Sequence, residues 1–314
     1  MRELRDRWAL ITGAAGGIGR ALALSLAERG VHLWLADRDA SVVRKLCQSA
    51  HQLGVEARPF FVDLRCGAEI DELAADISKS RYGVDILVNN AGLAQYGGTH
   101  QISDEQWDDV MAVNLLAPVR LTRRLLPLLR QRPEAHIINM CSISGLVAGG
   151  RFSAYHTSKF GLVGFSHALR AEYTRKGIGV TAVCPGPVRT ELYKHCLTTT
   201  GEPAPAPPRW LSATPEQVAA ATMRAIIKNK RQVLLTPMAH GLYQLQRFAP
   251  WVLDLVQTCS RHSLPWYRGK PLHVPTSFPV SPLFAEDEVD HPVALPFVND
   301  NQTAVCDVDR RRAM

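Results

Sequence analysis

Short apolar runs alternate with amphipathic, helix-forming stretches through the first two thirds of this 314-residue chain. The runs lie at residues 8–11, 31–36, 60–64, 86–88 and 179–184. Each is too short for a helix and is apolar almost throughout, which is typical of strands buried on both faces. Strands that alternate with helices predict an α/β fold, in which a parallel sheet is covered by helices on both sides.

The pattern changes in the last third of the chain. Thr214 and Pro215 suit the N-cap and the first position of a helix, and residues 233–236 predict a final strand. We therefore expect a single α/β domain at residues 1–238 with a C-terminal extension. Residues 239–270 form an amphipathic stretch interrupted by Pro250. Residues 271–314 are rich in proline and polar residues, which predicts a largely disordered tail.

A glycine-rich segment follows the first apolar run. It includes Gly13, Gly17 and Gly19, and a helix-forming stretch begins directly after it. A strand, a glycine-rich turn and a helix together predict a phosphate-binding site. Glycine lets the backbone approach a pyrophosphate, and the first turn of the helix offers free N–H groups to the anion. This segment is therefore a candidate dinucleotide site.

An acidic residue, Asp37, ends the second apolar run, about 20 residues beyond the glycine-rich turn. A carboxylate at this point can bind the 2′-hydroxyl of an adenosine ribose, and it would repel a 2′-phosphate. Arg38 follows directly and could attract that phosphate, so NADP stays open as an alternative. The sequence predicts NAD as the cofactor in preference to NADP.

A tyrosine and a lysine with helical spacing are the strongest catalytic signal. Tyr155 and Lys159 stand four residues apart, and Ser142 lies upstream of both. On a helix this spacing puts the phenol and the ammonium on one face, one turn apart. The ammonium is expected to favour the phenolate and to lower the pKa of Tyr155 from its usual value of about 10. A tyrosine tuned in this way can pass a proton to or from an alcohol.

These motifs, in this order, resemble those of the classical short-chain dehydrogenase/reductase family. The resemblance covers roughly residues 5–235. It implies a Rossmann-type doubly wound parallel sheet in a three-layer α/β/α arrangement. It also implies an NAD(P)-dependent oxidoreductase that transfers a hydride between a nicotinamide and a secondary alcohol or ketone. The matching residues are Thr12, Gly13, Gly17, Ile18, Gly19, Asn89, Asn90, Ala91, Gly92, Asn114, Ser142, Tyr155, Lys159, Pro185, Gly186, Val188 and Thr190.

The resemblance assigns roles within this chain. Tyr155 is implied to be the general acid and base, and Ser142 to hold the substrate oxygen. Lys159 is implied to bind the nicotinamide ribose, and Asn114 to anchor a water that links Lys159 to solvent. The predicted cofactor-binding residues are Gly13, Gly17, Ile18, Gly19, Asp37, Asp63, Leu64, Asn90, Ala91, Gly92, Tyr155, Lys159, Pro185, Gly186, Val188 and Thr190.

The substrate is less well defined by the sequence. The segment after Thr190 corresponds to the variable lid of the family, and its length and prolines predict mobility. The other expected pocket walls, residues 93–98 and 143–152, are mostly apolar, with Arg151 as their arginine. We therefore expect a hydrophobic, steroid-, retinoid- or lipid-like alcohol or ketone. Two alternatives stay open, an NADPH-dependent 3-oxoacyl reductase and a non-catalytic nucleotide-sensing protein with the same fold.

Composition narrows the partners and the location. The net charge of +7 is spread over short clusters without interleaved aromatic residues, so no nucleic-acid partner is expected. The seven cysteines lack paired spacing, which predicts reduced thiols and no metal site. No apolar run is long enough to span a membrane, and a cytoplasmic location is expected. Aromatic and basic residues within 239–270 leave peripheral membrane contact open. The family resemblance implies a homodimer formed through helices around residues 115–130 and 155–175.

Overall fold

The computed structural model describes residues 1, 3–194, 196–198, 204 and 208–263. The tail predicted at residues 271–314 lies outside the described residues, as do residues 264–270. Residues 1–250 form one compact unit, and residue 251 begins a second.

Strands and helices alternate along the chain as predicted. The strands among the described residues are β1 (Trp8–Thr12), β2 (His32–Asp37), β3 (Ala57–Phe61), β4 (Ile86–Asn89), β5 (Gln95–Tyr96), β6 (Ala135–Met140), β7 (Ile178–Pro185), β8 (Leu197–Thr198) and β9 (Gln232–Leu235). The α-helices there are α1 (Gly17–Ala27), α2 (Ala40–Gln52), α3 (Gly67–Lys79), α4 (Asp104–Met111), α5 (Ala117–Leu129), α6 (Ser153–Tyr173), α7 (Pro215–Ile227), α8 (Pro237–Phe248) and α9 (Pro250–Ser263). A π-helix at Ala112–Leu116 joins α4 to α5.

Seven strands form one parallel sheet in the order β3-β2-β1-β4-β6-β7-β9. The order reverses between β1 and β4, which confirms the predicted doubly wound sheet. In such sheets, ligands bind in the crevice beyond the carboxyl ends of the strands at this reversal. The fold therefore brings the segment after β1 and the segment after β4 to one place.

The core lies on both faces of the sheet. Within β1, Ile11 packs in a cluster with residues of α1 and α7, whereas Leu10 packs in another with residues of α3 and α5. Neighbouring side chains of a strand point to opposite faces, and both residues are fully buried. The sheet is thus the middle of three layers, and its near-continuous apolar strands follow from burial on both sides.

Two expectations about residues 57–66 are wrong. Strand β3 covers Ala57–Phe61 rather than residues 60–64, since it pairs residue by residue with β2 only to Phe61. The chain then turns, and the N–H of Cys66 donates to the carbonyl of Asp63 at 3.0 Å. Asp63 therefore lies in the turn after the strand. Cys66 is disulfide-bonded rather than reduced, whereas Cys47, Cys141, Cys184 and Cys196 are free thiols.

The start of the last third follows the sequence prediction closely. Helix α7 begins with a capping box, in which the Thr214 hydroxyl accepts from the Gln217 N–H and the Gln217 amide oxygen accepts from the Thr214 N–H. Helix α8 ends before Pro250, and α9 begins there. Within the described part of the chain, no helix combines the length and apolarity that crossing a membrane requires.

Candidate active site

The glycine-rich turn between β1 and α1 leaves no room for side chains at two positions. Gly13 has a φ of +65°, and a Cβ there would lie 2.7 Å from the Cα of Ala91. A Cβ on Gly19 would overlap the carbonyl oxygen of Gly13. The backbone of the turn therefore packs against the segment after β4, and no side chain covers it beside the first turn of α1. A bound pyrophosphate requires such an uncovered backbone. The cradle fits a dinucleotide.

Hydrogen bonds from the segment after β4 fix this turn. The Asn90 side-chain amide donates to the carbonyl oxygens of Thr12 and Gly13, both at 3.0 Å. The Thr12 hydroxyl accepts from the N–H groups of Asn90 and Ala91 at 3.0 and 3.2 Å. Thr12 was not among the predicted site residues beyond its place in the motif. Its position just before Gly13, opposite the amide pair after β4, is the signal that could have indicated this role.

The Asp37 carboxylate lies at the rim of the cradle, half-buried at the end of β2. One oxygen accepts from the N–H of Ala15 in the glycine-rich turn at 3.0 Å, and the other accepts from the N–H of Asp39 at 3.1 Å. Each carboxylate oxygen has a second lone pair. The carboxylate is therefore held in one orientation while it keeps the capacity to accept hydrogen bonds from a ribose.

Asp63 is engaged differently from the other predicted cofactor residues. Both of its carboxylate oxygens accept from the Arg65 guanidinium, at distances between 2.7 and 3.1 Å, and Arg65 also reaches Asp109 at 3.2 Å. Hydrogen bonding to Arg65 lowers the pKa of Asp63. Leu64 packs at the edge of the core. Asp63 and Arg65 are two residues apart, but the contact of Arg65 with Asp109 spans 44 residues and could not be predicted from local sequence.

A π-helix positions Asn114 at the centre of the site. Its side-chain oxygen accepts from the Leu93 N–H at 2.7 Å, and its amide donates to the Leu93 carbonyl at 2.9 Å and to the Ser158 hydroxyl at 3.0 Å. The side chain is fully buried, and π-bulges within helices frequently occur at functional sites. Asn114 thus links the loop after β4 to helix α6 at Ser158, the residue before Lys159.

Ser142, Tyr155 and Lys159 come together at the carboxyl end of β6. Ser142 lies two residues beyond the end of β6, and its hydroxyl is close enough to the Tyr155 phenol to lower the pKa of that group by hydrogen bonding. The Lys159 Nζ donates to the carbonyl of Met140 at 2.9 Å and lies 5.7 Å from the centre of the Tyr155 ring. A Cβ on Gly92 would be 3.5 Å from this Nζ. The predicted catalytic side chains therefore meet beside the cradle.

The direction of the Tyr155 pKa differs from the sequence expectation. Burial raises the pKa of Tyr155 above its ordinary value, and the hydrogen bond from Ser142 opposes this only in part. Burial also lowers the pKa of Lys159, because desolvation disfavours the charged form of each group. Helical spacing places the two groups correctly, but the depth of the pocket decides the sign of the shift.

The turn after β7 borders the cradle on its other side. The Thr190 side chain packs against Gly17, where an added Cβ would lie 3.1 Å from it. Val188 forms an isolated bridge with Ala213. Gly186 packs against Thr236 at the start of α8, where a Cβ would be 2.8 Å from the threonine hydroxyl. The predicted nicotinamide turn, which begins with Pro185 at the end of β7, is thus held from two directions.

The segment after this turn lies across the pocket. Strand β8 pairs in parallel with β5 of the loop after β4, and the Leu197 N–H donates to the Ala94 carbonyl at 2.9 Å. Tyr193 and Cys196 are close enough to Tyr155 to disfavour its phenolate. Neither residue was predicted as part of the site, since nothing in the sequence fixes how the lid folds.

Aromatic side chains line the opposite wall. The rings of Tyr96 and Phe152 are 5.1 Å apart, and Phe152 is 6.5 Å from Tyr155. The Arg151 guanidinium lies over the Tyr96 ring at 5.7 Å and donates to its hydroxyl at 3.4 Å. The described wall beside the phenol is therefore aromatic, with its cation at the exposed end.

Comparison with known proteins agrees with this geometry. The family model described as short chain dehydrogenase matches residues 7–200. A D-beta-hydroxybutyrate dehydrogenase of Cupriavidus necator is 35% identical over 190 residues, which is 60% of this chain and 73% of that protein.

Solved structures give the same result. A short chain dehydrogenase/reductase from Burkholderia phymatum in complex with NAD has a TM-score of 0.72 and 25% identity, and the match covers 81% of this chain and 97% of the other. A short-chain dehydrogenase from Sphingobium yanoikuyae in complex with NADPH has a TM-score of 0.67 and 25% identity, with 84% and 99% covered. The chain belongs to the short-chain dehydrogenase family and is an NAD(P)-dependent oxidoreductase that acts on CH–OH groups.

Proposed function

We propose that this enzyme interconverts a hydrophobic secondary alcohol and its ketone, with NAD as the preferred cofactor and Tyr155 as the general acid and base. The observation that carries the proposal is the meeting of Ser142, Tyr155 and Lys159 beside a backbone cradle that fits a dinucleotide. Cofactor and proton-transfer groups thus share one pocket.

The proposed mechanism follows from the positions of the side chains. The bound nicotinamide supplies a hydride acceptor or donor. Tyr155 takes the proton of the substrate hydroxyl during oxidation and returns it during reduction. Ser142 donates a hydrogen bond to the substrate oxygen and stabilises the charge that develops there. Lys159 stabilises the phenolate by its positive charge, and Asn114, which binds the Leu93 backbone, anchors a water that links Lys159 to solvent.

The pocket walls support an apolar substrate. Tyr96 and Phe152 form one wall, and Tyr193 of the lid lies near the Tyr155 phenol. The Arg151 guanidinium, which could bind the carboxylate of a small hydroxy acid, already contacts Tyr96. A small hydroxy acid is therefore the second candidate. Such an acid is the substrate named for the relative from Cupriavidus necator. A 3-oxoacyl reductase and a nucleotide sensor are the remaining alternatives.

A fluorescence titration with NADH and NADPH tests the cofactor assignment. We expect tighter binding of NADH, because the Asp37 carboxylate accepts from a ribose and repels a 2′-phosphate. Asp37→Ser is expected to shift the ratio of the two dissociation constants toward NADPH by about tenfold or more. Asp76→Ser, an exposed position on α3, is the matched control and should leave the ratio unchanged. An unchanged ratio in Asp37→Ser would sink the ribose assignment.

The same preparation tests the substrate class. Turnover of hydrophobic secondary alcohols with NAD, and slower turnover of 3-hydroxybutyrate, is the expected result. Preference for 3-oxoacyl thioesters with NADPH would favour the reductase, and binding of either cofactor without turnover would favour the sensor.

We also propose a homodimer and a cytoplasmic enzyme with peripheral membrane contact. Leu116 and Phe160 are 58% and 43% exposed on the two helical regions that the family resemblance implies as the dimer interface. Phe248, at the end of α8, is 74% exposed next to Arg247, a combination that suits a membrane surface. Sedimentation with and without lipid vesicles tests the dimer and the membrane contact. A monomer would contradict the first, and a protein that stays in the supernatant with vesicles would contradict the second.

A further inference from the structure

A cavity apart from the candidate catalytic residues adjoins the turn after β7, and Arg189 of that turn lines it. It has a volume of about 940 Å³ and is formed by α7, β9, the start of α8 and residues 210–214. We call it the basic cavity. None of the predicted catalytic or cofactor-binding residues lines it. Binding sites for small molecules typically have volumes of about 300–1,000 Å³, so this cavity is large enough for a ligand of its own.

The charges around the basic cavity have one sign. Arg189, Arg224 and Lys230 line it, and among the described residues that form its wall there is no carboxylate. The Arg189 Nη2 donates to the carbonyl of Arg209 at 2.8 Å, which holds that guanidinium in place. Guanidinium groups bind carboxylates and phosphates through paired hydrogen bonds. The cavity therefore favours an anion.

The rest of the lining is apolar. Ala221 and Leu235 contribute buried surface, Met238 adds a flexible side chain, and Trp210 stands at the wall with 81% of its surface exposed. An indole this exposed gains by covering an apolar group while its N–H stays in water. Free inorganic phosphate would leave this apolar surface uncovered, so the ligand should carry a hydrocarbon part.

The cavity wall is preformed. The Ala213 N–H donates to the Pro187 carbonyl at 2.9 Å, and the Arg189 N–H donates to the Ala213 carbonyl at 3.0 Å. These bonds join the segment before α7 to the turn after β7, and Thr214 then caps α7. Arg189 and Ala213 are thereby fixed relative to each other before any ligand arrives, which lowers the entropic cost of binding.

We propose that the basic cavity binds a single-chain amphiphile with an anionic head, of the fatty-acid class. The carboxylate would pair with Arg189, Arg224 and Lys230, and the chain would lie against Leu235, Met238 and Trp210. A neutral amphiphile of the same length lacks the head-group contacts and should bind more weakly. The site is separate from the dehydrogenase pocket and does not depend on the proposed substrate.

Quenching by 10-bromodecanoate tests this site, because bromine quenches an indole on contact. In the wild-type enzyme we expect saturable quenching, with 10-bromodecan-1-ol weaker by tenfold or more. Trp210→Phe should remove most of the quenching. Arg224→Glu should raise the dissociation constant at least tenfold, whereas Arg175→Glu, with the same change in net charge at an exposed distant position, should not.

A milder variant protects the test from folding defects. Gln217→Glu puts one negative charge at the cavity and keeps the capping box, since glutamate serves at that position as well as glutamine. It should weaken binding, and Gln48→Glu on exposed α2 should not. Equal binding of the neutral alcohol, or equal weakening by both members of either pair, would overturn the proposal. A third result would also overturn it: no quenching of the wild-type enzyme by bromodecanoate, together with dissociation of a larger oligomer by Arg224→Glu. That result would assign this face to contact between copies of the chain.

Discussion

Tyr155→Phe is expected to lower kcat/KM for alcohol oxidation by about 10²- to 10⁴-fold, the contribution typical of a positioned acid or base. The Kd for NADH should stay close to the wild-type value, because the glycine-rich cradle and Asp37 are untouched. Phenylalanine keeps the ring that packs near Phe152, so the loss reports on the hydroxyl alone. Steady-state kinetics and a fluorescence titration on one preparation separate the two effects.

A matched control for this variant is Tyr173→Phe, which removes a phenol at the far end of the same helix, where Lys176 covers its ring. It should keep full activity. Retention of wild-type turnover by Tyr155→Phe would remove Tyr155 from the mechanism. Loss of NADH binding together with turnover would instead indicate that the phenol serves the cofactor.

The raised pKa of Tyr155 also fixes the direction of the pH dependence. Oxidation needs the phenolate, and burial keeps the phenol protonated over the neutral range. The rate of oxidation should therefore rise as the pH rises toward the pKa of Tyr155. Reduction uses the protonated phenol and should persist at lower pH. Profiles of kcat/KM against pH in both directions measure this, and an oxidation rate that falls between neutral and alkaline pH would contradict it.

Much of the cofactor site could be predicted because its determinants are local. The strand, the glycines and the helix that form the cradle are consecutive, and Asp37 ends the next strand as expected. The extent of the strand expected at residues 60–64 was harder to predict. Their apolar character indicates a strand, but pairing with β2 stops at Phe61, and pairing length is a property of two segments. The contact of Arg65 with Asp109 has the same origin, since the two residues are 44 positions apart in the sequence.

The catalytic residues show a second limit of prediction from the sequence. Helical spacing correctly brings Tyr155 and Lys159 to one face of α6. The sign of the Tyr155 pKa shift was wrong, because it depends on burial by elements distant in sequence, including the lid residues Tyr193 and Cys196. The π-helix around Asn114 could not be predicted from the sequence either, since the composition of Ala112–Leu116 suits an ordinary α-helix.

Gly19→Ala is expected to abolish measurable NADH binding and to lower the free energy of unfolding by about 1–3 kcal/mol, the usual cost of overpacking. The new Cβ would overlap the Gly13 carbonyl oxygen and lie 2.9 Å from the Asn90 side-chain nitrogen. That oxygen cannot simply move, because it accepts from the Asn90 amide at 3.0 Å and from the Gly16 N–H at 3.2 Å. The turn must therefore shift as a unit, and the shift deforms the surface that meets the pyrophosphate.

Gly241→Ala is the matched control, because a Cβ there meets no atom within 4 Å. It lies inside α8, where alanine is favoured over glycine by about 1 kcal/mol, so this variant should be slightly more stable than wild type and bind NADH unchanged. Thermal unfolding followed by circular dichroism, together with NADH titration, compares the two. Normal NADH affinity in Gly19→Ala would mean that the cradle yields without cost, and the assignment of this turn to the pyrophosphate would then fail. Lost affinity with an unchanged melting temperature would support that assignment most directly, since it separates the shape of the cradle from the stability of the fold.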